Sequence, residues 1–289
     1  MSLADQIVVE IVQRVSGWNT PITSRAVAEA AIKLASPANG PAGQALALFC
    51  EYYHKTYRNW NYESETNGER WLLGKLATFQ SQMIFDVGAN LGNWLFEVRS
   101  AMPAAEIHAF EIVEATSTAL AARVVGQTGI VVNPFGLADQ SGNLIMRVYF
   151  HHERSSCTAY PYDQSYREVA CPVRTGDEYL RDNGISHIDC LKIDVEGAEH
   201  LVLKGFAQAL RDGRIDVIQF EYGQTSIFTH HLLRDFYEQF EANGYAVGKL
   251  FPDHVDFRAY KPDDEDFIGP NYVAVTRGRF DIIEALKKP

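Results

Sequence analysis

One segment constrains the fold more than any other: Asp86-Val87-Gly88-Ala89-Asn90-Leu91-Gly92, which follows an apolar run and leads into Trp94 to Val98. It reads as a strand leaving through a glycine-rich turn into a helix. Glycines at 88 and 92 let the backbone turn sharply and approach a ligand where a side chain would collide. From residue 83 onward, short apolar runs alternate with helical stretches. MIFDV, EIHAFE, GIVVNPFGL, IDCLKID, DVIQFEY and NYVAV are the strand candidates, and 115–125 and 198–210 are two of the helices. Strands alternating with helices imply right-handed βαβ crossovers and a mostly parallel sheet, hence an α/β fold. In such sheets a ligand sits beyond the carboxyl ends of the strands, on a turn of this kind.

The turn has an acidic companion. Nineteen residues after Gly92, the strand EIHAF runs into Glu111, where a carboxylate can accept both hydroxyls of a ribose. Two nucleoside cofactors share this arrangement. A dinucleotide fingerprint reads GxGxxG and offers a helix N-terminus to a pyrophosphate, whereas this turn reads GANLGNW. It also opens with Asp86, whose charge is unfavourable beside a pyrophosphate. An acid there suits a cofactor with a positive amino group and sulfonium, namely S-adenosylmethionine. The overall charge agrees: 26 Lys and Arg against 37 Asp and Glu give a net charge of −11. Such a chain repels nucleic acid and anionic membrane at long range and tolerates a cationic ligand.

A second constellation follows the strand IDCLKI. Asp194 falls at its carboxyl end, Glu196 lies two residues on, and the strand DVIQF ends in Glu221. If these strands are neighbours, the three acids converge on one rim, at a cost unless a ligand, a cation or protonation offsets them. The plainer reading makes them helix caps. Glu199 and His200 fall inside the next helix and are expected at the surface or in packing. His151-His152 and His230-His231 lack a metal-ligand spacing, although His230 follows the Glu221 strand and could reach the site from its loop.

With FDVGANLG, Glu111, RTGDEYL (174–180), LKIDVEGAEHLVLKG (191–205), QFEYG (219–223) and NYVAV (271–275) in order, the chain resembles the FkbM family of S-adenosylmethionine-dependent methyltransferases over about residues 67 to 275. The DVEG segment is the most family-specific element. The resemblance implies a Rossmann-like class I methyltransferase fold with a mostly parallel seven-stranded sheet. It also implies methyl transfer, usually to oxygen and less often to nitrogen. Carried over, Asp86, Gly88, Asn90 and Gly92 hold the methionine part, Glu111 the ribose and Glu69 the amino group. Asn133, Leu137 and Asp139 border the adenine, and Asp194 also faces the cofactor. One departure is visible: Ile112 stands where the family places Pro after the ribose-binding acid.

The expected reaction is O-methylation of a sugar or other hydroxylated small molecule or glycan. N-methylation of an amine or amide is the alternative. A nicotinamide-dependent dehydrogenase and a non-catalytic cofactor-binding module are more distant readings. Asp194 or Glu196 is the expected general base, with His230 third. A divalent metal between Asp194 and Glu221 is less favoured, and no residue is assigned as a metal ligand. Glu221, Tyr149, Ser155, Ser156 and Tyr160 are weaker substrate-side candidates.

Two domains are expected. Residues 1–65 form an N-terminal helical extension, a lid or dimerisation element that leaves a homodimer open, with apolar repeats at 7–15, 26–34 and 45–57. Residues 66–289 form the catalytic domain, with a β-hairpin insertion near 140–175. The aromatic cluster Tyr52, Tyr53, Tyr57, Trp60 and Tyr62 is read mainly as a packing surface. Four scattered cysteines with no CxxC pair point to reduced thiols. The acidic first ten residues argue against a signal peptide. No apolar run reaches the roughly 18 residues of a bilayer span, so a cytoplasmic location is expected.

Overall fold

The computed structural model describes residues 40–149, 155–156 and 166–288. The apolar repeats before residue 40 lie outside them. Contacts divide the chain between Arg58 and Asn59. Before that boundary, helix α1 (Gly40–Tyr57) carries Pro41 in its first turn, where a missing N–H breaks no helical hydrogen bond. Tyr52, Tyr53 and Tyr57 are exposed on α1, and so are Trp60 and Tyr62 beyond it. Among the described residues, the aromatic rings of this cluster are thus not enclosed within the chain.

After the boundary, the chain runs α2 (Glu69–Thr78), β1 (Met83–Val87), α3 (Asn93–Ala101), β2 (Glu106–Phe110), α4 (Glu114–Arg123) and β3 (Ile130–Asn133). Next come β4 (Gly136–Leu137), β5 (Gly142–Tyr149), β6 (Ser155–Ser156), β7 (Tyr166–Arg174) and α5 (Gly176–Asp182). The rest is β8 (Ile188–Ile193), α6 (Glu199–Gly205), α7 (Ala207–Arg211), β9 (Ile215–Glu221), α8 (Thr225–Thr229), α9 (Leu233–Ala242), β10 (Tyr245–Phe251), β11 (His254–Phe257), β12 (Asn271–Thr276) and α10 (Phe280–Leu286).

The main sheet has eight strands in the order β11-β10-β12-β9-β8-β1-β2-β3. From β9 to β3 every pairing is parallel. β12 inserts antiparallel between β9 and β10. This is the Rossmann-like class I arrangement, with one strand beyond the expected seven. The extra strand arises because Pro252 and Asp253 fold β10 back on itself, pairing Phe251 with His254. Helices cover both faces. Phe85, Val87, Leu191, Ile193, Ile218 and Phe220 pack on one side with residues of α5, α6, α7 and α9. Ile84, Cys190, Val217 and Val273 pack on the other with α2, α3 and α10. Burial on both faces turns the central strands into nearly continuous apolar runs, and each large side chain so buried contributes about 1.5–3 kcal/mol.

The expected helix over 198–210 is two helices, interrupted at Gly205. A Cβ there would lie 2.1 Å from the Ala138 carbonyl oxygen, so the backbone must pass bare. β5 and β7 pair antiparallel from Gly142↔Val173 to Tyr149↔Tyr166 and form a separate four-stranded sheet with β4 and β6. Cys50, Cys171 and Cys190 are free thiols, and Cys157 lies outside the described residues. Among the described residues, no helix is long and apolar enough to cross a membrane.

Candidate active site

The glycine-rich turn crosses from β1 to α3 through left-handed backbone at Gly88 (φ 87°), Asn90 (φ 47°) and Gly92 (φ 80°). At Gly88 this is a necessity, because an added Cβ would stand 1.8 Å from the Asp194 carbonyl oxygen. The amides of Gly88 and Ala89 both donate to the Phe110 carbonyl, at 3.0 Å each. The Asp194 amide donates to the Val87 carbonyl at 2.9 Å. The carboxyl ends of β1, β2 and β8 are thus tied together. Glu111, buried at the end of β2, accepts from the Asn90 amide through Oε2 and from the Val113 amide through Oε1, both at 2.8 Å. Burial nevertheless pushes its carboxyl above the ordinary range. Each oxygen keeps a further lone pair for a ligand.

Beneath the turn lies a buried polar row. Asp86 on β1 pairs with Lys192 on β8, and Lys192 pairs with Gln219 on β9. Partners at one register level face the same side of a sheet, here the α2–α3 side. Asp86 is wholly buried and neither carboxylate oxygen has a hydrogen-bond partner. Burial, reinforced by the carboxylates of Asp194, Glu69 and Glu111 and opposed by Lys192, pushes it up to about 6. The Lys192 ammonium lies 2.8 Å from Asp194 Oδ2 and 5.6 Å over the Trp94 ring. Burial works against its charge, but Asp194, Asp86 and Glu69 outweigh this and hold it well above the usual lysine range. Glu69 completes the row, accepting from Asn67 (2.7 Å), Asn271 (3.1 Å) and Gln219 (3.0 Å).

Above the ends of β8 and β9 opens a cavity of about 410 Å³, lined by Glu69, Asp194, Glu196 and Glu221 with Tyr62 and Phe228 among its walls. The three acids of the second constellation do share one rim, because β8 and β9 are neighbours. Glu196 sits in left-handed backbone (φ 54°) and its carbonyl accepts from Ser156 Oγ at 2.7 Å. Glu199 is buried rather than at the surface. It accepts from the amides of Val195 (3.1 Å) and Gly197 (3.2 Å), closing the loop on itself, and burial pushes its carboxyl up to about 7.

Other candidates fall elsewhere. His230 is exposed at the end of α8, in left-handed backbone (φ 57°), and is not among the residues that line the cavity. Its neighbour His231 points inward instead, stacking on His200 at 4.7 Å and meeting Phe236 edge-on. Burial, with His231 beside it, pushes His200 down to about 4. Tyr149 is buried against Tyr166 within the β5–β7 hairpin and does not line the acidic cavity. Ser156 is buried and committed to Glu196. Ser155 pairs with Val148 in β6, and Tyr160 lies outside the described residues. Asn133 is buried with its side-chain amide on the Ala109 carbonyl (3.2 Å), Leu137 is buried in β4, and Asp139 is exposed. Among the described residues, the one grouping of three metal-ligand side chains is His187, Asp189 and Asp216. It lies at the amino ends of β8 and β9, where Arg279 already pairs with Asp216.

Lys192, Gln219 and Asn271 were missed from sequence. Their signal was present: a lysine and a glutamine inside otherwise apolar strands demand buried partners. A family model, the methyltransferase FkbM domain, matches residues 86–247. The chain belongs to the FkbM methyltransferase family. The match begins at Asp86 and spans the glycine turn, Glu111, the Lys192–Asp194 strand and Glu221. No curated protein matches the chain. Among solved structures, it is similar to a methyltransferase FkbM from Methylobacillus flagellatus, with 16% identity and a TM-score of 0.45 over 68% of this chain and 44% of that one. The FkbM-family chain therefore spans less than half the length of that protein. A precorrin-6y C5,15-methyltransferase from Geobacter metallireducens is similar at 13% identity and TM-score 0.36, over 71% and 85% of the two chains. An Aeropyrum pernix fibrillarin with natively bound S-adenosyl-L-methionine is similar at 13% and 0.36, over 68% and 66%.

Proposed function

We propose that this FkbM-family protein methylates a hydroxyl group of a sugar or other hydroxylated small molecule, using S-adenosylmethionine. The observation that carries the reading is Asp86: a wholly buried carboxylate with neither oxygen partnered, directly under the glycine turn. Such a group is costly unless a positive ligand charge offsets it. The cofactor supplies a methyl group on a sulfonium, already a good leaving group. In this reading, Gly88, Asn90 and Gly92 give the methionine part close access to backbone, and Asp86 and Glu69 supply the negative field for its amino group. Glu111 receives the ribose hydroxyls, and the adenine lies toward Asn133, Leu137 and Asp139.

What remains for the protein is orientation and proton removal. Alignment of the acceptor within the cavity contributes about 7–11 kcal/mol. A rim carboxylate that takes the hydroxyl proton adds roughly 10²–10⁴-fold. Nitrogen as the acceptor is a second reading, favoured by the four carboxylates that line the cavity, which would hold an ammonium before its deprotonation.

Calorimetry with S-adenosylmethionine and S-adenosylhomocysteine tests the cofactor assignment. Binding of both by wild-type protein, and loss of both in Asp86→Ala, is the expected outcome. Folded wild-type protein that binds NAD and neither of these would overturn it. Mass spectrometry of the methylated product then separates oxygen from nitrogen.

A further inference from the structure

The carboxylates around the cavity do not share their donors evenly. Glu69 accepts three side-chain amide hydrogen bonds, from Asn67, Gln219 and Asn271. Asp194 holds the Lys192 ammonium at 2.8 Å. Glu199 is bound by two backbone amides, and Glu196 is also engaged. Glu221 differs from all of these. It is half-buried at the end of β9 and lines the cavity. No N–H or O–H of the described residues donates to its carboxylate. The charged groups facing it are Asp194 and Glu196 from the turn after β8, Glu199 from α6 and Lys192 from β8. Lys192 is the single cation of that set and is already committed to Asp194.

On the methyl-transfer reading given above, we propose that Glu221 is the base that removes the acceptor's proton. Asp194 is a poorer base, since a carboxylate whose charge is shared with a bonded ammonium has less driving force to take another proton. Glu221 lines the cavity and no donor of the described residues occupies its carboxylate, so an acceptor hydroxyl can reach it without displacing an internal hydrogen bond. The balance is simple. The acceptor oxygen forms a bond to the methyl carbon, the methyl–sulfur bond breaks with its electron pair leaving on sulfur, and the hydroxyl proton passes to Glu221. For this Glu221 must be ionised. Burial and the carboxylates of Asp194, Glu196 and Glu199 push its carboxyl well above the usual range, and a cation entering the cavity reverses that pressure. The positive charge of the cofactor thus favours the ionised form in which Glu221 acts as a base.

The test needs no knowledge of the acceptor. Binding of S-adenosylmethionine and of S-adenosylhomocysteine, which lacks the sulfonium charge, is measured across pH 5 to 8 in pairs of buffers of different ionisation enthalpy, which counts the protons released. Wild-type protein is expected to release more protons with the sulfonium than with the thioether. Glu221→Gln is expected to bind both with the difference abolished, and Glu221→Asp, which restores a titrating carboxyl, to regain it. A wild-type-sized difference in Glu221→Gln, or none in the wild type, overturns the assignment of the base while leaving the methyltransferase reading intact. Failure of folded wild-type protein to bind either compound overturns that reading and this proposal with it.

Discussion

Asp86 and Lys192 stand opposite one another across β1 and β8 at one level of the sheet. Lys192 spends its hydrogen bond on Asp194 rather than on Asp86, so Asp86 feels the ammonium only through space. One buried cation therefore serves Asp194, Asp86 and Glu69, and the row is left with excess negative charge. In the proposed binding mode, a cationic cofactor above the row would complete the neutralisation.

Asp86→Asn should raise stability and lower affinity. A carboxyl at about 6 in the folded protein, against an ordinary value of 3.8, binds more protons folded than unfolded between those limits. Stability is then lost as pH rises through that window, by about 3 kcal/mol at neutral pH. Urea unfolding should show Asp86→Asn matching the wild type near pH 4 and exceeding it increasingly toward pH 7. S-adenosylmethionine affinity should fall at least about tenfold, worth about 1.4 kcal/mol. A variant less stable at pH 7 than at pH 4, relative to wild type, would refute this account.

Lys192→Met should be strongly destabilising, by about 3–5 kcal/mol, because it leaves the buried Asp86 and the half-buried Asp194 without their cation. The double variant with Asp86→Asn should recover part of that loss, a non-additivity expected for groups in one network. Denaturant midpoints of the two single variants and the double variant measure it directly.

Gly88→Ala and Gly92→Ala should differ. Both adopt positive φ, which costs an alanine about 1–2 kcal/mol. At Gly88 the new methyl also meets the Asp194 backbone at 1.8 Å, whereas at Gly92 it meets the end of the Leu120 side chain at 2.5 Å, which can turn aside. Thermal melts should rank Gly88→Ala as the more damaging, with cofactor binding lost even where folding survives.

Glu111→Gln should uncouple the turn from α4. The neutral side chain can no longer accept from both the Asn90 and Val113 amides, each charge-assisted at 2.8 Å in the wild type. A stability loss of about 1–3 kcal/mol follows from leaving one amide unsatisfied. Affinity for adenosine itself should fall alongside that for the whole cofactor, which competition calorimetry reads out.

Much of the fold was legible because the central strands bury both faces: MIFDV, IDCLKI and DVIQF announce themselves as apolar runs. β10 was missed since Gly248 and Lys249 interrupt its pattern. Lys249 is buried with its ammonium on the Ile268 carbonyl, a partner no local window contains. The same blindness hid Lys192, whose counter-charges come from β1, α2 and the turn after β8. The positions of the glycine turn and of the acids at the strand ends were readable because glycines and acids there interrupt the apolar runs. Sequence proximity to Glu221 could not show that His230, at the left-handed end of α8, is exposed and outside the cavity lining.

The contact between Gly88 and the Asp194 carbonyl leaves less than a methyl group's width between the two turns. Neither turn can be remodelled without displacing the other, so the side proposed to hold the cofactor behaves as the fixed jaw of a vice. Redesign toward a new acceptor has to begin on the opposite jaw, at Tyr62, Thr225 and Phe228. There, side chains reach the cavity from outside that seam, and altered bulk can change which molecule fits without shifting where the methyl group is presented.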